Sequence, residues 1–168
     1  MSVKILGTGS FLPEKSVSND DLSKVMDTSD EWISSRTGIR SRHISIEDTT
    51  STMAVKAAKK ALENAGVSAE ELDHIFVATL SGDHATPSTS CQVQKGIGAV
   101  NAVCMDINAA CSAFDFLLET AHIRNILRMH FKAGSKGHID HGDILLPISS
   151  MEGTFLPCGS YAAWKSDV

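Results

Sequence analysis

Alternating helical and strand-like segments in the middle of the chain constrain its fold most. Residues 50–65 have the spacing of an alanine-rich amphipathic helix, and residues 74–80 form a continuous apolar run typical of a buried strand. Residues 88–95 predict a second helix and residues 101–108 a second buried strand. This alternation predicts an α/β layered fold with parallel strands. Three further elements are predicted: a strand at residues 3–12, a short helix at residues 18–26 and a helix at residues 114–129.

One further short helix is marked by its capping residues. The tetrad Thr28-Ser29-Asp30-Glu31 predicts a capping box, in which the Thr28 hydroxyl and the Glu31 carboxylate bind the first free amides, and Gly38 supplies the stop. Trp32 and Arg36 stand four residues apart within it, so they are predicted to share one helical face.

Composition and charge exclude several classes of protein. The chain has 168 residues, 42% of them hydrophobic and 21% charged, which is typical of a globular domain and allows one domain with a real core. Its formal net charge of −5 argues against nucleic-acid and anionic-membrane partners. The one basic cluster, suited to steering an anionic ligand, consists of Arg36, Arg40, Arg42 and His43.

The N-terminus and the cysteines indicate a cytoplasmic protein with free thiols. The first residues lack the pattern of a signal peptide, and no apolar run approaches the ~18 residues of a membrane helix. The four cysteines show no CxxC spacing, so we expect neither a disulfide framework nor a metal site. They are Cys91, Cys104, Cys111 and Cys158.

Cys111 is the sharpest candidate for chemistry. It follows the predicted strand 101–108 and precedes the predicted helix 114–129, which places it at a tight strand-to-helix turn. Free amides and the dipole at a helix start stabilise the reactive thiolate and the oxyanion of an attacked thioester. From its position alone, a buried structural cysteine is an equally good interpretation.

Two longer motifs distinguish between these interpretations. Residues 106–114 read DINAACSAF, and residues 27–33 read DTSDEWI, followed by RTGIR at residues 36–40. Together they resemble the nucleophile motif and a second signature of the β-ketoacyl-acyl carrier protein synthase III family, which has the thiolase fold. The resemblance implies that residues 1–128 form the N-terminal half of a thiolase-like layered fold with a mixed, mainly parallel sheet. Residues 129–168 form an atypical tail, as a truncated or frame-disturbed gene product would give.

The resemblance also implies roles for individual residues. Cys111 corresponds to the nucleophile that takes an acyl group from acyl-CoA. Trp32 and Arg36 correspond to the pair that stacks on the adenine of CoA, with Thr28 beside them; without the motif, Trp32 would be read as a core aromatic and Arg36 as a solvated residue.

A further segment of the resemblance concerns the acyl pocket. Thr86 and Pro87 lie in the loop that builds the family's acyl pocket and dimer interface. Thr86 stands where many members carry a bulky aromatic residue, so a longer or branched acyl primer is expected to fit.

The implied reaction is the decarboxylative condensation of an acyl-CoA primer with malonyl-acyl carrier protein, which starts fatty acid synthesis. The implied partners are acyl-CoA, acyl carrier protein and a second copy of the chain, with no cofactor beyond the CoA thioester substrate. Family members carry a catalytic His and Asn in a second half, whereas the only asparagine after Cys111 is Asn125, on the same predicted helix. A non-catalytic fragment or partner subunit that binds acyl-CoA or dimerises therefore stays open, as does a related thiolase-fold synthase.

Overall fold

The computed structural model describes residues 2–121, 144–149 and 160–167, with seven strands and five helices in those ranges. The strands are β1 (Ser2–Ser10), β2 (Ser16–Ser18), β3 (Ser41–His43), β4 (His74–Ala78), β5 (Val103–Ile107), β6 (Ile144–Ser149) and β7 (Ser160–Asp167). The helices are α1 (Asn19–Ser23), α2 (Asp30–Thr37), α3 (Thr50–Ala65), α4 (Thr89–Ile97) and α5, which contains residues 113–121. Two 3-10 turns cover Ala69–Glu71 and Ala110–Ser112.

Five strands form the main sheet, in the order β1-β7-β6-β4-β5, and β2 and β3 form a separate antiparallel pair. β4 is parallel to both β5 and β6, whereas β7 is antiparallel to β1 and β6. Four of the five strands therefore run in one direction. This confirms the expected mixed, mainly parallel sheet.

Helix α3 lies directly on β1 because both elements have small residues at their contact. Gly7 and Gly9 of β1 face the α3 backbone, and a Cβ atom at either position would collide with backbone atoms of α3. The buried alanines of α3 form one face of the core with Leu72 and Ile75; they are Ala54, Ala57, Ala58 and Ala61. Close packing of small residues thus fixes the first helical layer on the sheet.

Helix α5 covers the opposite face of the sheet. All five residues of β4 are buried, and their side chains alternate between the two faces of the sheet. Phe76 and Ala78 pack against Ala113 and Leu117 of α5, whereas Ile75 and Val77 belong to the core under α3 and α4. β4 is therefore buried between two helical layers, as the layered fold requires.

The element bounds differ from the sequence predictions mainly at helix ends. α4 extends to Ile97 and ends at Gly98, whose φ is 79°, rather than near Gly96. Gly96 instead lies inside the helix against the side chain of Val55, where a Cβ atom would not fit. α1 ends at Ser23, three residues before the predicted end.

The sequence pattern did not predict β6 or β7, which take the second and third positions of the main sheet, between β1 and β4. The division of the chain at residue 128 stays a prediction. The predicted helical residues 122–129 lie outside the described ranges.

Candidate functional site

The turn that carries Cys111 links β5 to α5. A 3-10 turn covers Ala110–Ser112, and Ala110 has φ 48°, the one positive φ of a non-glycine residue among the described residues. The Ser112 amide and hydroxyl both donate to the Ala109 carbonyl, at 3.2 and 2.8 Å. A left-handed alanine stores strain, and such residues cluster at functional sites. The backbone thus places Cys111 at the strand-to-helix turn, whereas its role as a nucleophile stays a prediction.

The strand before this turn also anchors the start of α4. The carboxylate of Asp106 in β5 accepts hydrogen bonds from the Thr89 amide at 2.7 Å and from the Ser90 amide at 2.8 Å. Ser88 is the N-cap of this helix. A carboxylate at a helix start satisfies free amides and complements the helix dipole. Sequence reasoning missed this role, although Asp106 lies within the Cys111 motif.

The loop that precedes α4 is anchored at its other end by Asp83. Its carboxylate accepts hydrogen bonds from the hydroxyls of Thr49 (2.7 Å) and Ser51 and from the Ser51 amide (3.2 Å), at the start of α3. Burial alone would raise the pKa of Asp83, but these hydrogen bonds outweigh it and the net pKa is lowered. In the same loop Thr86 and Pro87, joined by a cis peptide bond, have exposed side chains.

The pair Trp32 and Arg36 lies on one exposed face of α2. The Arg36 guanidinium carbon is 4.6 Å from the centroid of the Trp32 ring, and Arg36 Nη1 donates to the Trp32 carbonyl at 3.2 Å. The Trp32 side chain is 54% exposed, so the alternative that Trp32 is a core aromatic is wrong. A flat cation over an exposed indole forms a surface on which a planar base can stack.

Thr28 does not cap α2. The N-cap is Ser29, whose hydroxyl accepts from the Trp32 amide at 3.1 Å, so the predicted capping box of Thr28 and Glu31 is wrong. The helix begins one residue later than that box requires, and its third position is Trp32, which has no carboxylate to return the bond. The Thr28 hydroxyl is instead buried and has no hydrogen-bond partner among the described residues.

The predicted basic cluster divides into two parts. Arg42 donates to the side chain of Asn19, and His43 Nδ1 lies 2.6 Å from the Pro13 carbonyl, so both hold the local backbone. Arg36 and Arg40 are exposed, although Arg40 also lies 3.5 Å from the Asp30 carboxylate. Only these two arginines remain suited to attracting an anion.

Two other cysteines face each other between α4 and β5. Cys91 and Cys104 are both free and half-buried. Burial, together with the neighbouring Cys91 thiol, raises the pKa of Cys104 to about 12. Since the thiolate is the reactive form, Cys104 is a poor nucleophile at neutral pH. Cys158 lies outside the described residues.

Within the described ranges, no cluster of His, Cys, Asp or Glu side chains could hold a metal ion. In that same part of the chain, no helix is both long and apolar enough to cross a membrane.

Comparison with known proteins identifies relatives of this chain. It is 58% identical over 120 residues to a β-ketoacyl-[acyl-carrier-protein] synthase III of Clostridium acetobutylicum, and 53% identical over 120 residues to one of Clostridium botulinum. Over its N-terminal 71%, the chain is thus closely similar to β-ketoacyl-[acyl-carrier-protein] synthase III proteins. The matched stretch makes up 37% of each of these relatives. No protein-family model matches the chain.

Solved structures give the same assignment for the fold. The 3-oxoacyl-[acyl-carrier-protein] synthase III of Aquifex aeolicus superposes with a TM-score of 0.78 at 36% identity, over 99% of this chain and 54% of that one. The priming β-ketosynthase of the R1128 polyketide pathway superposes with a TM-score of 0.73 at 31% identity, over 99% of this chain and 51% of that one. The chain therefore has the thiolase fold that its motifs imply.

Proposed function

We propose that these 168 residues carry the acyl-accepting part of a β-ketoacyl-acyl carrier protein synthase III, with Cys111 as the nucleophile. The observation that carries the proposal is the strained turn at Ala110–Ser112, which sets Cys111 between the end of β5 and the start of α5. The 58% identity to a synthase III supports it.

The proposed half-reaction transfers an acyl group from CoA to the protein. The Cys111 thiolate attacks the carbonyl carbon of the acyl-CoA thioester, and the bond from that carbon to the CoA sulfur breaks. CoA leaves as the thiolate and takes up the proton that Cys111 released. The positive end of the α5 dipole favours both the Cys111 thiolate and the transient oxyanion.

The adenine end of CoA is proposed to bind at α2. The exposed Trp32 ring and the Arg36 guanidinium, 4.6 Å from it, provide the stacking surface. Thr28, four residues before Trp32, is assigned to the same site by the family resemblance. Exposed Arg36 and Arg40 favour the approach of the CoA phosphates.

A homodimer is part of the same proposal. Among the described strands, β5 lies at the edge of the main sheet, and its residues Val103 and Met105 are 54% and 39% exposed. Apolar side chains on an unpaired strand edge favour association with a second copy. In such a dimer the loop with Thr86 and Pro87 would contribute to the acyl pocket, where the small Thr86 leaves room for a longer or branched primer.

Condensation with malonyl-acyl carrier protein is proposed for the family's complete site and not for these 168 residues alone. That step needs a His and an Asn to polarise the malonyl thioester, and loss of one such donor costs ~10²–10³-fold in rate. The only asparagine after Cys111 is Asn125. We propose no cofactor besides the CoA thioester, and a cytoplasmic location.

The test separates the two half-reactions. The 168-residue chain is incubated with acetyl-CoA, and the modified peptide is identified by mass spectrometry. We expect one acetyl group on Cys111, absent from C111S and retained in C104S, the matched control that removes a half-buried thiol with a raised pKa. We also expect no release of carbon dioxide from malonyl-acyl carrier protein above background.

A CoA titration accompanies this test. W32A is expected to weaken CoA binding by about 1–3 kcal/mol, the scale for stacking a base on an aromatic ring. Acetylation of another cysteine would overturn the assignment of Cys111. CoA binding without any acetylation would favour the non-catalytic alternative.

A further inference from the structure

The position of α2 is not set by the hydrophobic core. None of its eight residues is buried, although this helix carries the Trp32–Arg36 pair. A helix without a buried face receives little packing energy to fix its orientation. Polar contacts with neighbouring segments must therefore determine where the pair lies.

One buried side chain contacts the segments at both ends of α2. Asn19, at the start of α1, is only 1% exposed. Its Nδ2 donates to Asp30 Oδ1 and to the Ile39 carbonyl, each at 2.7 Å, and its Oδ1 accepts from Arg42 Nη2. Its amide nitrogen also donates to the Arg40 carbonyl at 3.1 Å. Both hydrogens of the side-chain amide, and its oxygen, are thus used.

These partners lie at both ends of α2. Asp30 is the first residue of the helix, and Ile39 follows the Gly38 that ends it. Arg42, in β3, ties the same amide to the β2–β3 pair. We call Asn19, Asp30, Ile39 and Arg42 the Asn19 hub. A fully satisfied buried polar network of this kind fixes one geometry rather than several.

We propose that Asn19 is a positioning residue for the coenzyme A site, holding both ends of α2 so that Trp32 and Arg36 present one stacking surface. This inference rests on the proposed function, since it assigns the α2 surface to the adenine of CoA. Asn19 does not touch the ligand. It acts through Asp30 and Ile39, and its loss frees the helix while the main sheet, which α2 does not contact through buried residues, stays folded.

The test uses the full chain and measures CoA affinity by calorimetry, together with amide hydrogen exchange. N19A is expected to weaken CoA binding by about tenfold, within the range that loss of one stacking partner produces. The amides of α2 should exchange faster, and those of β4 unchanged. The matched control is N64A, which removes another side-chain amide that bonds to the backbone. Asn64 Oδ1 accepts a hydrogen bond from the Thr8 amide at 3.0 Å. N64A should leave CoA affinity unchanged.

A second variant guards against simple misfolding. N19D sets a second carboxylate against Asp30, where the present hydrogen bond is 2.7 Å, so it should lose CoA affinity as N19A does. N19D/D30N reverses the two groups and restores a donor and an acceptor between them, although the Ile39 carbonyl still lacks its donor, so it should recover part of the affinity lost in N19D. If the role of Asn19 were purely structural, N19D would lower the melting temperature. N19D/D30N would then not regain CoA affinity when measured at a temperature where N19D and N19D/D30N are both folded.

Failure of either proposal can be recognised separately. Normal CoA affinity in N19A, or slow exchange of the α2 amides in it, would overturn the positioning role. Equal CoA affinity of W32A and the wild type would overturn the assignment of the adenine site, and the exchange data would then still decide whether Asn19 orders α2.

Discussion

Asp106→Asn tests how the Cys111 turn is connected to the rest of the fold. The wild-type carboxylate accepts from two amides of α4, those of Thr89 and Ser90, at 2.7 and 2.8 Å. Both of these residues are 0% exposed, so water cannot easily replace a lost partner. Asparagine has the same shape but only one acceptor oxygen. One buried amide would therefore face an NH2 group.

The expected loss follows from these contacts. Leaving one buried donor unsatisfied costs about 1–3 kcal/mol, and removing the charge from a helix start costs about 0.3–1 kcal/mol. We expect D106N to lower the free energy of unfolding by about 2–3 kcal/mol. With a urea m-value of about 2 kcal/mol/M, the unfolding midpoint would fall by about 1 M or more.

The assay is urea unfolding followed by circular dichroism. The control is D115N, which makes the same chemical change at an exposed residue in the first turn of α5 and should alter the free energy of unfolding only by the charge contribution, less than about 1 kcal/mol. An equal, small effect of D106N and D115N would refute the reasoning, because the Asp106 carboxylate would then not hold α4 to β5.

Two further predictions concern the layer that α3 forms. Gly9→Ala should destabilise the fold by about 2–3 kcal/mol in the same urea assay, because the added Cβ would collide with the backbone at Ala57 and Ala61. Unchanged stability would mean that α3 does not lie directly on β1. The pKa of Asp83 is lowered in the folded protein, so its carboxylate stabilises the fold at a pH above the pKa of the unfolded chain, and this stabilisation is lost as the pH falls below about 4. D83N should therefore lose less unfolding free energy over that pH range than the wild type. An identical loss in D83N and the wild type would contradict the contacts of Asp83 with Thr49 and Ser51.

The sequence predicted those elements whose signals are local. Helix α3 begins and ends where the pattern places it, at Thr50 and Ala65, because buried alanines repeat at helical spacing and Gly66 ends the helix with φ 66°. The shared face of Trp32 and Arg36 follows in the same way from a separation of four residues. β6 and β7 were not predicted, since what makes them strands is pairing with β1 and β4, far away in the chain.

The candidate site shows the same division. Its motifs were legible in the sequence, but the contacts of Asp106 and Asp83 span 17 and 34 residues and depend on how helices are placed on the sheet. Thr28 shows that a local signal can also mislead. A tetrad that fits a capping box was assigned one residue too early, because Ser29 and Thr28 are both good N-caps and only the backbone decides between them.

The two carboxylates together fix both ends of the loop between β4 and α4. Asp83 binds the loop to the start of α3, and Asp106 binds the start of α4 to β5. Neither anchor involves the side chain of Thr86, which is exposed. The position of the loop is therefore set by its ends, whereas the size of residue 86 affects only what the loop presents to its surroundings. If the loop lines an acyl pocket as proposed, a small residue there would leave room for a longer primer without weakening the contacts that hold the loop in place.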